Sequence, residues 1–168
     1  MSFCLIGNFC TDLIIRGVPR LPVWGQEVAG ESYLLVSSGQ TAYSAFALRA
    51  LGAPVSVIGC VGDDAWGRQI RDDLEAQGVD TGGLETMAGG RTALSVAAVR
   101  PDGERAFISD FACLKQADES LLERHWERIA LAEQICLLGV FSWPGLSLAR
   151  TAALFRRIRQ AGKPTMLD

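Results

Sequence analysis

From Ser38 to Gly67 the chain reads SGQTAYSAFALRALGAPVSVIGCVGDDAWG, and no other stretch constrains the fold as tightly. It opens on a Ser-Gly turn. A helix pattern then runs from Gln40 to Leu51 with only Ser44 and Arg49 clearly polar on its flank, so it reads as a buried helix. Gly52-Ala53-Pro54 breaks the pattern. Val55 to Val61 is a short, β-branched apolar run bounded by Gly and Pro, the signature of a strand buried on both faces. Gly62-Asp63-Asp64 leads into a second helix. Turn, helix, strand and helix in this order predict a layered α/β domain with a backbone turn at the edge of the sheet where ligands sit.

The flanking sequence extends the pattern. Ser2 to Ile6, ended by Gly7, is the first strand and a central one. Asn8 and Asp12 follow at its C-terminal end, where open α/β sheets place ligand contacts, although both are also turn formers. Leu13 to Ile15 and Glu27 to Val36 read as strands joined by a Pro-containing loop, Val18 to Gly25. Asp64 caps the helix Ala65 to Gln77, whose stripe is Trp66, Ile70 and Leu74, with Gly78 just past its end. Thr92 to Val99 and Arg105 to Ser109 form a hairpin across Pro101-Asp102-Gly103-Glu104, in which Pro presets φ and Gly accepts positive φ. Asp118 to Ala130 reads as one helix, with His125 at its boundary. Gln134 to Val140 is a buried strand. Leu146 to Ala161 is a helix with Leu148, Ala152, Phe155 and Ile158 inward. Thr165 to Asp168 begins another strand.

Composition excludes several classes. A net charge of −3 argues against a nucleic-acid partner. No apolar run reaches membrane-spanning length, and MSFCLIGNFCTD lacks the basic start of a signal peptide. Cys4, Cys10, Cys60, Cys113 and Cys136 form no CxxC pair, which points to buried free thiols in a reducing cytosol rather than a metal site. Gly-x-x-Gly-Asp-Asp is not the G-x-G-x-x-G of a dinucleotide-binding dehydrogenase, and no G-x-x-x-x-G-K-[ST] loop occurs. No repeat or linker divides residues 1–168, so they read as one α/β domain.

These segments together resemble the ribokinase-like (PfkB-type) carbohydrate kinases. The resemblance rests on Ser38-Gly39, the helix Ala42 to Ala50, Leu51-Gly52-Ala53, the strand Val55 to Gly59 and Gly62-Asp63-Asp64-Ala65-Trp66-Gly67. Pro22 to Glu27, Gly78-Val79-Asp80-Thr81 and the Asp-Gly-Glu-Arg hairpin add to it. The chain departs from the family pattern at Ser38, the first glycine of a pair; at Tyr43, where the family usually places a sugar-binding Asn; and at Ala112-Cys113, where Gly-Ala is usual. The resemblance implies a three-layer α/β/α fold with a mostly parallel sheet and a small β-lid, its strands within 12–36 and 92–111. It implies transfer of the ATP γ-phosphate to a sugar or nucleoside hydroxyl, with Mg2+, in a cytoplasmic protein. Exposed lid strands and an uncovered sheet edge are sticky, which adds the expectation of a dimer. Asp12, Asn8, Gly39, Gln40 and Tyr43 fall on or beside its substrate-binding positions. The family's Gly-Ala-Gly-Asp motif, whose helix N-terminus and Asp carry phosphoryl transfer, does not occur in these residues. The expectation is therefore a substrate-binding N-terminal part, inactive towards ATP by itself and truncated in the middle of the fold. The second expectation is a non-catalytic, sugar-binding or self-assembling remnant of that fold.

Overall fold

The computed structural model describes all residues, 1–168. Five strands form a wholly parallel sheet: β1 (Phe3–Gly7), β4 (Val55–Gly62), β5 (Asp80–Met87), β8 (Gln134–Leu138) and β9 (Thr165–Leu167), in the order β5-β4-β1-β8-β9. β1 is the middle strand, as its run of buried side chains requires. Every residue of β4 except Ser56 is buried, which is what a sheet covered on both faces demands. Helices α1 (Gln40–Ala50) and α2 (Ala65–Ala76) cover one face. Ala42, Ala45, Ile70 and Leu74 pack there on Leu5, Val57 and Val61. Helices α3 (Ser120–Arg124), α4 (Trp126–Leu131) and α5 (Leu148–Gln160) cover the other, where Leu121, Leu122, Ile129, Leu154 and Ile158 meet Cys4, Ile6, Ile58 and Ile135. The result is the expected three-layer α/β/α arrangement.

A second sheet has four strands: β2 (Cys10–Arg16), β3 (Ser32–Ser38), β6 (Ala93–Val99) and β7 (Arg105–Asp110), ordered β3-β2-β6-β7. β2 runs antiparallel to β3 and parallel to β6, and β7 closes the hairpin on β6. Only Asn8 and Phe9 separate β1 from β2, so the second sheet begins directly at the C-terminal edge of the first.

Several local expectations change. α1 buries only Thr41, Ala42 and Ala45; its apolar look comes from alanines, which carry little surface and lose little by facing water. Residues 27–31 are not strand. Glu31 donates its N–H to Arg16 O, and β3 begins one residue later. Trp66 is 37% exposed, and Gly67, Ile70 and Leu74 make the buried stripe of α2. Residues 80–87, which contain two adjacent glycines and carry no strand signal, pair with β4 as β5. The helix expected over 118–130 breaks at His125, because Arg124 and His125 both turn to Glu85 on β5, at 2.9 and 3.0 Å. α5 turns Thr151, Leu154 and Ile158 inward, leaving Leu148 64% exposed. Its face follows the i, i+3, i+7 rows of a real helix.

Candidate functional site

The C-terminal ends of β1 and β8, the N-terminus of α1 and the inner face of the second sheet enclose a cavity of about 370 Å³. An open α/β sheet offers a ligand crevice at this edge. Asn8, Asp12, Gly39, Gln40 and Tyr43, which lie apart in the sequence, all line it. Another cavity of about 370 Å³ lies at the far end of the second sheet, among Arg20, Arg100 and Arg105. It gathers none of those five residues and no unpartnered buried polar atom, so the cavity between the sheets is the candidate site.

Asp12 is its electrostatic centre. Ser38 Oγ donates to Asp12 Oδ2 at 2.6 Å and Tyr43 OH reaches the same oxygen at 3.5 Å. Cys10 Sγ donates to Oδ1 at 3.5 Å. A carboxylate has about four acceptor positions, and two of these three contacts are long, so Asp12 retains capacity for hydroxyl donors. Burial, followed by the Asp12 charge, pushes the Cys10 thiol up to about 12; this thiol is a neutral donor in the physiological range.

Gly39 turns the chain from β3 into α1. Its φ of 100° lies in the region L side chains avoid, and a Cβ there would collide with the Asn8 carbonyl. No side chain caps α1, so its uncapped N–H groups bring partial positive charge to the cavity wall. Asn8 is 5% exposed and its Oδ1 has no hydrogen-bond partner. Gly139, at the end of β8, holds φ at 65°; a Cβ there would come within 2.6 Å of Gln40 Oε1 and collide with Asn8 Oδ1. Glycine is therefore required where the strand end passes these two amides.

Sequence reasoning missed Cys10, Ser38, Ser95, Phe107, Ser109, Asp110 and Phe111, all of which line the same cavity. The signal was present for some of them. Cys10 lies two residues before Asp12, and Ser95 and Ser109 pair across the sheet in register with it. Period-two alternation puts all of these on one face. Asp110 accepts from Lys115 Nζ at 2.8 Å and from the Ala112 N–H at 3.1 Å, and these bonds, the lysine's first, hold its carboxyl down at about 2. Ala112 has φ 37°, a left-handed value carried by a residue with a Cβ. The site thus combines two carboxylates, several hydroxyls, two carboxamides and the rings of Tyr43, Phe107 and Phe111. Such a set suits a polyhydroxylated ring: hydroxyls meet the carboxylates and amides, and C–H faces meet the aromatic rings.

The class these features define is an α/β/α sandwich with a smaller sheet lying across its ligand edge. The chain belongs to the pfkB family of carbohydrate kinases, whose model matches residues 2–168. It is 26% identical over 154 residues to a ribokinase of Haemophilus influenzae, covering 90% of this chain and 49% of that protein. It is 34% identical over 147 residues to an ATP-dependent ribose-1-phosphate kinase of Halopiger xanaduensis, covering 87% and 48%. A ribokinase of Arabidopsis thaliana, solved with ribose and ATP, shares the fold at a TM-score of 0.81 and 19% identity, over 99% of this chain and 53% of that one. The chain spans about half, or less, of the length of the curated relatives it matches. No helix is long and apolar enough to cross a membrane.

Proposed function

We propose that these residues form the substrate-binding part of an ATP-dependent kinase that phosphorylates a hydroxyl of a sugar or nucleoside. The observation that carries this reading is the convergence of Asn8, Asp12, Gly39, Gln40 and Tyr43 on one cavity, with the Asp12 carboxylate bonded to Ser38 and open to further hydroxyl donors. Asp12 binds substrate hydroxyls. The first turn of α1, from Gly39, contributes N–H donors. Tyr43 and Phe107 supply faces for the ring, and the second sheet serves as the lid. ATP and Mg2+ belong to the activity of the family. The Gly-Ala-Gly-Asp motif does not occur in these residues, so the role proposed for them is binding.

The test is calorimetric titration of the 168-residue protein with D-ribose, D-fructose and adenosine, with and without ATP and Mg2+, alongside an assay of ADP release. The expected result is saturable binding of at least one of the three, weakened more than about tenfold, or about 1.4 kcal/mol, in both Asp12→Ala and Asp12→Asn, with no ADP release. Absence of binding to all three, or binding indifferent to Asp12, would overturn the sugar site. ADP release driven by a sugar would overturn the assignment of binding alone.

Self-association through the second sheet is part of the same reading. Tyr33 and Ile108 on its outer face are 77% and 72% exposed, and Leu34 and Phe107 on the cavity face are 45% and 55% exposed. β3 and β7 are its free edges. Apolar side chains on a short sheet with unpaired edges favour pairing with a second copy.

A further inference from the structure

Cys60 and Cys113 are 53 residues apart in sequence, yet Cys60 donates to Cys113 across an Sγ···Sγ distance of 3.8 Å. Both are fully buried. Cys60 belongs to β4 of the central sheet. Cys113 belongs to the short 3-10 turn Ala112–Lys115, which is anchored by its own N–H to Arg91 O. This turn continues the cavity wall formed by Asp110, Phe111 and Leu114. We propose that Cys60 and Cys113 are a reversible thiol–disulfide site at which a peroxide ties this wall of the cavity to the central sheet. The inference rests on the positions of the two thiols and is independent of the sugar reading.

The other three thiols are directed elsewhere. Cys4 pairs in register with Ser56, four residues before Cys60 on the same strand, so Cys4 and Cys60 are separated by about 13 Å along the strand at ~3.3 Å per residue. Cys136 lies against the opposite face of the sheet, in the core beneath α1 and α2. Cys10 is on the second sheet and directs its thiol to Asp12. A disulfide needs an S–S distance of about 2.05 Å, so Cys60 and Cys113 must close by about 1.8 Å. The mobile partner is the turn, a four-residue 3-10 segment entered through the left-handed Ala112, rather than the middle of a buried strand.

Cys113 lies between the cavity-lining residues Phe111 and Leu114, so it is the thiol that meets the peroxide first. Cys113 thiolate attacks one peroxide oxygen. The O–O bond breaks, hydroxide leaves, and the sulfur becomes a sulfenic acid. Cys60 sulfur then attacks the Cys113 sulfur, forming the S–S bond and expelling the sulfenic oxygen as water. Two thiols and one hydrogen peroxide give one disulfide and two waters, with two electrons passing from sulfur to oxygen.

The test treats the protein with hydrogen peroxide, removes the peroxide, denatures, caps free thiols with N-ethylmaleimide and maps peptides by mass. The expected product is a monomer about 2 Da lighter that takes three maleimides rather than the five its cysteines allow. A linked peptide should contain Cys60 and Cys113, and dithiothreitol should restore all five adducts. Amide exchange across 110–117 should slow about tenfold in the oxidised form. Five adducts after peroxide, a link to Cys4, Cys10 or Cys136, an irreversible gain of oxygen, or unchanged exchange across 110–117 would each overturn the proposal. Cys113→Ser should bind four maleimides with or without peroxide; if that variant does not fold, the peptide map of the unmodified protein decides alone.

Discussion

At the scale of single residues, small polar groups decide where backbone turns are held. Asp64 Oδ1 accepts from the Gly67 N–H at 2.8 Å and from Thr92 Oγ1 at 2.7 Å, and Oδ2 accepts from the Thr92 N–H at 2.7 Å. It caps α2 and also fixes the start of β6. Burial pushes its carboxyl up, but the donors from Thr92, Gly67 and Trp66 outweigh burial and hold it below the usual carboxylate range. A depressed folded value means that this contribution is complete above the ordinary Asp value of about 3.9 and is lost as pH falls through the lower folded value. Asp64→Ala should therefore lower stability by about 2 kcal/mol at pH 7, measured by urea unfolding. Asp64→Asn should flatten the decline in melting temperature below about pH 4. Ala112→Gly is expected to act in the opposite sense: relief of the φ of 37° should raise stability by roughly 1 kcal/mol, net of the extra freedom glycine gives the unfolded chain. Asp64 was legible as a cap from its position before a helical stripe. The second role of Asp64 was not, because Thr92 lies 28 residues away and nothing local connects them.

At the scale of elements, period and punctuation located β1, β4, α1, α2 and the β6–β7 hairpin, since each has an apolar pattern bounded by Gly, Pro or a capping Asp. The misreadings occur where a long-range partner overrides the local pattern. Glu85 breaks the helix at His125, and β5 forms around two glycines because β4 supplies its ladder. α5 shows the same dependence. Its first turn is held by Glu119, which is 2% exposed and accepts from the Ser147 N–H and from Thr151 Oγ1, the latter at 3.2 Å. Glu119→Ala should cost about 2–3 kcal/mol and should speed amide exchange in the first turn of α5 more than in its last, a contrast hydrogen-exchange mass spectrometry resolves. The cavity was legible to the same degree. Asn8 and Gly39 adjoin turns that can be read locally, and the family resemblance singled out Asp12, Gln40 and Tyr43, whereas Ser95, Phe107 and Ser109 belong to it only because β6 lies beside β2 and β7 beside β6.

At the scale of the whole molecule, two sheets meet at one edge, and the smaller carries five exposed large apolar side chains, Tyr33, Leu34, Leu35, Phe107 and Ile108. Sedimentation velocity should show a concentration-dependent dimer, and Ile108→Lys with Tyr33→Lys should return it to monomer while far-UV circular dichroism is unchanged; a monomer at all concentrations would remove the second sheet as an interface. The route of the chain between the sheets has a further consequence. It passes from β1 to β2 through Asn8-Phe9 alone and from β3 back to α1 through Gly39 alone. Both crossings adjoin the cavity, and Asn8 and Gly39 line it. The chain also crosses at residues 88–92, from β5 to β6, and after Asp110, from β7 back towards α3, so a tilt of one sheet against the other is shared among four crossings. Three of them, at Asn8, Gly39 and Phe111, carry residues that line the cavity, so hinge and ligand contacts overlap there. A ligand seated there necessarily clamps the axis on which the molecule would flex, so its affinity and the angle between the sheets are two readings of one equilibrium.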